Sequence, residues 1–212
     1  MNNIRFFWLF VIAGVESGLF FGHSRLEPMS TWLIVEKGAA VGLLALWAGL
    51  NARDRDGWLI AAVLVLGALG DVLLETNGMT VGALAFLAGH LVAVALYWLN
   101  RGPNFWMAVP VALAVSFIAW LIPADRASAP GIALYALGLG AMAGAAWFSR
   151  FPRKWVGLGA VLFVISDLLI FAKAGMLKGS ILPSLLIWPL YSIGQALIAW
   201  GVVWTLRVER RG

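Results

Sequence analysis

The sequence predicts an all-α polytopic membrane protein: an eight-transmembrane-helix bundle with a parallel repeat of two four-helix halves. Three observations carry this expectation. Of 212 residues, 62% are hydrophobic and only 12% are charged, against about half and about a quarter in a soluble globular domain. The mean hydropathy is +0.92. The apolar residues fall into runs long enough to cross a bilayer, which takes roughly 20 residues as a helix. Eight such runs with short connections fill the chain, so residues 1–212 read as a single integral membrane domain.

Each span is bounded by turn chemistry or charge. Span one, roughly 5–22, starts beside Arg5 and stops before His23 to Pro28. Its basic start resembles a signal peptide, but it carries Glu16 and lacks a small-x-small cleavage site, so a retained span is expected. Span two, roughly 30–50, ends at the run Arg53-Asp54-Arg55-Asp56, and span three, roughly 57–75, ends at a tight Thr76-Asn77-Gly78 turn. Span four, roughly 80–99, stops at Arg101-Gly102-Pro103. Span five, roughly 104–122, is closed by the Pro123 to Pro130 loop. Span six, roughly 130–148, gives way to the basic run from Arg150 to Lys154. Spans seven and eight, roughly 154–173 and 183–206, flank the loop from Lys173 to Pro183.

Composition excludes several classes. The chain has no Cys, which removes disulfides, thiolate metal sites and Cys nucleophiles. Its net charge of +5 comes from basic residues at helix ends rather than from an exposed basic domain, so no nucleic-acid partner is expected. Those residues set topology instead. Arg5, Arg53, Arg55, Arg101, Arg150, Arg153, Lys154, Arg207, Arg210 and Arg211 share one side; only Arg25, Arg126, Lys173 and Lys178 mark the other. Positive charge marks the cytoplasmic side, which predicts both termini inside, in the cell membrane.

Against this apolar background the intramembrane polar groups stand out. Leu66 to Tyr97 carries Asp71 and Glu75 on one helical face, a turn apart, then His90 on the returning span. Gly159 to Ala172 repeats the theme with Ser166-Asp167. The topology puts Asp71, Asp167, Glu36 and Lys37 at one level in the outer half of the bilayer, with Glu16, His90, Tyr191, Ser192 and Gln195 somewhat deeper. Matching orientation of the two Asp-bearing spans suggests tandem four-helix units about an axis along the membrane normal. An ionisable residue inside a membrane is a functional hypothesis by default, and Asp71 and Asp167 are the strongest candidates. Plainer readings exist for the rest: Ser166 and Gln195 as helix–helix hydrogen bonds, Glu16 and His90 as packing partners, and Lys37 as the neutraliser of one Asp. The Trp residues at positions 8, 32, 58, 98, 106, 155 and 204 fall near span ends, as interfacial aromatics do.

The motifs Gly70-Asp71-Val72-Leu73-Leu74, Phe86-x-x-Gly89-His90, Phe163-x-x-Ser166-Asp167 and Tyr191-x-x-x-Gln195-x-Leu197-Ile198 resemble the YhhN family of membrane proteins, which includes the lysoplasmalogenases. Lys37 matches the family's Lys in span two, with Gly38 where a Pro usually follows; His90 matches, with Ala93 where a Tyr is usual. The resemblance implies hydrolysis of a lysoplasmalogen vinyl ether to a fatty aldehyde and a glycerophospho-base, with a lysophospholipid substrate and no cofactor. That chemistry starts with proton transfer to carbon and ends with water attack on an oxocarbenium ion, so one carboxyl must be protonated and another ionised. Asp71 and Asp167 are the expected pair, within about 8 Å of each other. Lys37, Glu36, Glu75, His90, Ser166, Tyr191 and Gln195 are the expected binding or orienting residues. Two other classes use the same groups: a proton-coupled carrier, and a metal site of Asp71, Glu75, His90 and Asp167.

Overall fold

The computed structural model describes residues 5–210. Among the described residues there are eight α-helices: α1 (Phe7–Leu26), α2 (Thr31–Asn51), α3 (Arg55–Thr76), α4 (Met79–Leu99), α5 (Ala108–Leu121), α6 (Ala129–Trp147), α7 (Leu158–Ala174) and α8 (Leu182–Glu209). Each expected span holds a helix, but among the described residues seven helical segments have the length and apolarity to cross a bilayer. The exception is α5, with 14 residues, or about 21 Å at 1.5 Å per residue against a hydrocarbon core of about 30 Å. Two prolines set its limits. Pro110 lacks an N–H and fits only the first helical turn, and Pro123, two residues past the end, has no N–H with which to continue the helical ladder. A 3₁₀ turn, Phe105–Met107, occupies the segment that the sequence assigns to the start of span five.

Two compact units organise the chain, Met1–Leu96 with Ala199–Gly212, and Tyr97–Ile198. In the first unit α1 packs on α2 and α2 on α3. Ser30 caps α2 by accepting from the Leu33 N–H at 3.3 Å, and Asp54 caps α3 by accepting from the Gly57 N–H at 2.8 Å. Such caps satisfy amide donors that the first helical turn leaves open. The α3–α4 turn is two residues, Asn77 and Gly78, and Gly78 lies in the left-handed region at φ 85°, a conformation that costs Gly nothing sterically. Leu33, Trp47, Ile60 and Leu64 form the fully buried core of this unit.

In the second unit α5 packs on α6 and α6 on α7. A Cβ on Gly144 would lie 2.7 Å from the Ala108 Cα, and one on Gly140 would lie 2.9 Å from the Ala112 Cα. Small residues thus let α5 and α6 approach backbone to backbone, the usual way helices pack where lipid supplies no hydrophobic driving force. Ser116 adds a hydrogen bond to the Ala133 carbonyl at 2.8 Å. Connections at one end of this unit are tied together by the Arg150 amide to the Asn100 carbonyl (2.8 Å) and by an isolated Arg101–Ser149 bridge. Large apolar side chains remain exposed along most helices, as expected of surfaces that face acyl chains. Of the Trp residues expected at the interfaces, Trp8, Trp32, Trp58, Trp98, Trp106 and Trp204 are exposed and Trp155 is half-buried; Trp47 and Trp188, which were not among them, are buried.

Candidate active site

In the first unit the polar groups gather where α1 ends, α2 begins and α3 ends. The pairing starts with packing. A Cβ on Gly70 would sit 2.7 Å from two ring atoms of Phe86, so α4 closes onto α3 at that point. Asp71, the next residue, is left only 2% exposed, and His90, one turn after Phe86, only 3%. On the other side, a Cβ on Gly38 would lie 2.7 Å from Val72 Cγ2, so α2 also presses on α3 here. That approach brings the Lys37 ammonium to Glu75, whose Oε1 accepts from Lys37 Nζ at 2.6 Å. The sequence expectation gave Lys37 to one of the Asp residues; the structure gives it to Glu75, one turn nearer the end of α3. The Lys37 side chain is 11% exposed and that of Glu75 is 25% exposed. Glu36, the neighbour of Lys37 on α2, is buried and lies 2.9 and 3.0 Å from His23 Nδ1 through its two oxygens. Glu16 is half-buried along α1.

In the second unit Asp167 is 6% exposed and its Oδ2 accepts from the Tyr135 hydroxyl at 2.6 Å. The Tyr135 ring packs edge-on against Phe171, centroids 5.8 Å apart, and Phe171 lies one turn after Asp167 on α7. Ser166 is fully buried and donates to the Ile187 carbonyl at 2.8 Å, tying α7 to α8 beside Pro189. Further along, a Cβ on Gly159 would lie 2.7 Å from the Gly194 carbonyl oxygen, so these two helices run in close contact. Tyr191 and Gln195 face that contact from α8. Gln195 Nε2 donates to the Tyr191 hydroxyl at 3.3 Å, and the Tyr191 ring meets Phe163 edge-on at 5.1 Å. The remaining amide oxygen of Gln195 is buried without a hydrogen-bond partner among the described residues. An unsatisfied buried acceptor costs about 1–3 kcal/mol, so this oxygen is a natural partner for a water or a ligand hydroxyl.

Each unit therefore presents a buried Asp beside an organised set of donors. Asp167 has a phenol that holds its orientation, and Asp71 shares its helix with the Lys37–Glu75 ion pair. Buried carboxyls of this kind suit proton transfer, whereas Glu36 is engaged by the His23 ring and the charges of Lys37 and Glu75 compensate locally. Among the described residues no three His, Asp or Glu side chains converge as metal ligands. Sequence reasoning missed Tyr135 and His23. The chain has only three Tyr, and Tyr135 lies inside a Gly- and Ala-rich span rather than at an interface, which was the available signal. His23 gave none, because a His at a span end reads as a loop residue.

Comparison with known proteins adds to this geometry. The chain is similar to proteins named lysoplasmalogenase from Mycobacterium bovis and from Mycobacterium tuberculosis, each 32% identical over 195 residues that cover 85% of this chain and 71% of the relative. No solved structure matches the chain. The model of the YhhN family matches residues 32–202, a stretch that includes Lys37, Asp71, His90, Asp167, Tyr191 and Gln195, and the chain belongs to the YhhN family.

Proposed function

We propose that this protein is a membrane-embedded hydrolase that cleaves the vinyl ether bond of a lysoplasmalogen-like lysolipid. The names of its relatives support the substrate class. The observation that carries the chemistry is the buried Asp167 held by the Tyr135 hydroxyl at 2.6 Å, with a second buried carboxyl, Asp71, on α3. In the proposed reaction one carboxyl, as the acid, delivers a proton to the outer carbon of the vinyl ether, and the ether-bearing carbon becomes an oxocarbenium ion. The other, as the carboxylate base, takes a proton from a water that attacks that carbon. The resulting hemiacetal collapses to a fatty aldehyde and a free glycerol hydroxyl, so one water is consumed per bond cleaved. Two carboxyl groups held in opposite protonation states are the arrangement used for acetal-type bonds in glycoside hydrolysis.

The Lys37–Glu75 pair and His90 flank Asp71 and are assigned to orienting the substrate; Ser166, Tyr191 and Gln195 do the same beside Asp167. Glu36 is assigned a supporting role through its contact with His23. The charge asymmetry of the loops supports both termini on the cytoplasmic side, a topology that a carboxyl-terminal reporter fusion tests directly. The function is tested by incubating the purified chain with lysoplasmalogen and with the matching acyl and alkyl lysolipids. Fatty aldehyde detected by mass spectrometry from the vinyl ether alone supports the reading. Uptake of lysolipid into sealed vesicles with no aldehyde would replace it with a carrier.

A further inference from the structure

The opposite end of the first unit holds a second polar feature that the proposed hydrolysis does not use. A cavity of about 220 Å³ is lined by Arg5, Asn51, Arg53, Val203, Arg207 and Arg210. Four of these six residues are Arg and none is acidic. The cavity lies where α2 and α8 end and α3 begins. Asp71 is seventeen residues further along α3 than its cap Asp54, or about 25 Å at 1.5 Å per residue, so the cavity is remote from the carboxyl sites of this unit.

The plain explanation for basic residues here is compensation of helix carbonyls. The structure contains some of that: Arg210 Nη1 donates to the Asn51 carbonyl at 3.4 Å and Arg53 Nη1 to the Ala52 carbonyl at 3.2 Å. A helix C-terminus is equivalent to about half a negative charge, so the ends of α2 and α8 supply about one. Asp54, whose Oδ2 takes both Arg210 Nε and Nη2 at 2.9 Å, supplies one more. Asp54 is not part of the lining, so four guanidinium groups and no carboxylate line this one cavity.

The floor of the cavity says where it sits. Val203 and Arg207 continue the face of α8 that carries Trp200, and Asn51 donates to the Trp47 carbonyl at 2.8 Å, one turn back on α2. Trp200 stacks on Trp47 (6.2 Å, 3° between planes) and on Trp204 (5.5 Å, 17°), and Phe7 and Phe10 close the cluster at 5.7 and 5.6 Å from Trp200. Phe6, Phe7 and Trp8 leave large exposed apolar surfaces beside it. A layer of indoles with guanidinium groups above it is the arrangement expected at headgroup depth. The volume is below the roughly 300–1,000 Å³ of pockets that engulf a whole drug-sized ligand, and suits a polar head whose chains stay outside along the exposed aromatics.

We propose that this cavity is a phosphate site that binds the headgroup of an anionic phospholipid. Guanidinium forks match phosphate oxygens bidentately, and the aromatic layer supports acyl chains in a way a free anion does not need. The test uses the full chain in vesicles of phosphatidylcholine with and without phosphatidylglycerol, with lipid retained through purification counted by mass spectrometry. Wild-type protein is expected to enrich phosphatidylglycerol. Arg53→Gln with Arg207→Gln should weaken that retention about 30-fold, at about a tenfold loss for each 1.4 kcal/mol and about 1 kcal/mol per basic residue at a membrane surface. Lys173→Gln with Lys178→Gln, which removes the same charge from the end of α7 and the loop after it, should leave it unchanged. Equal loss in both double variants would make the effect bulk charge and overturn the site. If the Arg variant does not fold, wild-type protein still decides the matter: no enrichment over phosphatidylcholine overturns the proposal. Inorganic phosphate that displaces all retained phosphatidylglycerol at low millimolar concentration would mark a free-anion site and overturn the lipid assignment.

Discussion

The hydrogen bond from Tyr135 to Asp167 offers the most direct test of how the second unit holds its carboxyl. Tyr135→Phe removes one hydroxyl and little else, because the ring stays pinned against Phe171 by an edge contact at 5.8 Å. The bond is short, 2.6 Å, within the range of O–H donors to an ionised oxygen, about 2.5–2.7 Å. Hydrogen bonds to charged groups contribute about 1.5–3 kcal/mol, whereas those between membrane helices average about 0.6 and reach about 1.7 kcal/mol. Asp167 is 6% exposed, so water does not replace the lost donor, and the coupling should fall near the upper membrane figure, about 1.5 kcal/mol. A double-mutant cycle of Tyr135→Phe and Asp167→Asn, read by denaturant unfolding in micelles, measures it. In turnover, the same energy lost only in the transition state lowers kcat about tenfold, with KM unchanged because the phenol contacts the carboxyl rather than the lipid. A coupling below about 0.3 kcal/mol, with kcat unchanged, would refute the claim that Tyr135 positions Asp167.

Three further outcomes are expected. Asp71→Asn and Asp167→Asn should each fold and lower turnover by about 10² or more, since Asn neither delivers a proton to carbon nor acts as a carboxylate base; the double variant should be little worse than the poorer single, because groups acting as a unit are non-additive. Lys37→Met should destabilise the fold by about 2–3 kcal/mol, below the full cost of breaking a buried pair because Glu75 keeps a quarter of its side chain exposed, and Lys37→Met with Glu75→Leu should recover most of it in the same unfolding assay. Gly144→Val places its Cβ against the Ala108 backbone, 2.7 Å away, and should cost about 1–3 kcal/mol by forcing α5 from α6; unfolding that matches wild type would show that the two helices do not depend on that approach.

What the sequence disclosed, and what it withheld, follows from how each signal arises. Asp71, Asp167, Lys37 and His90 were visible because a charge or imidazole inside an apolar run has no cheap alternative explanation, and all are buried as that argument requires. Span ends were visible within a few residues because turn chemistry is local. The partner of Lys37 was not, since Asp71 and Glu75 share one helical face and only the axial offset of α2 against α3, set by Gly38 on Val72, selects between them. Tyr135 was hidden for a related reason: an isolated Tyr has an apolar ring and a polar tip, and periodicity carries no information about which residue that tip meets. The shortness of α5 was written in Pro110 and Pro123, but an apolar run of the right length conceals a helix that starts late.

The small residue before each Asp has a role that composition alone does not reveal. Gly70 and Ser166 are the places where another helix closes over the carboxyl-bearing one, Phe86 of α4 against Gly70 and the Ile187 carbonyl of α8 at 2.8 Å from Ser166 Oγ. The two contacts differ in chemistry, one a ring on a bare backbone and the other a hydrogen bond, yet each leaves the following Asp almost without solvent exposure. An Asp on a lone lipid-facing helix would be driven outward, because its desolvation is costly and nothing covers it. A neighbouring helix brought within reach by a side chain of one or two heavy atoms at most turns the same Asp inward and gives it protein donors. The pair of residues, rather than the carboxyl alone, is therefore the unit that makes a buried acid in this fold. A larger residue at position 70 or 166 should disable its Asp without touching it.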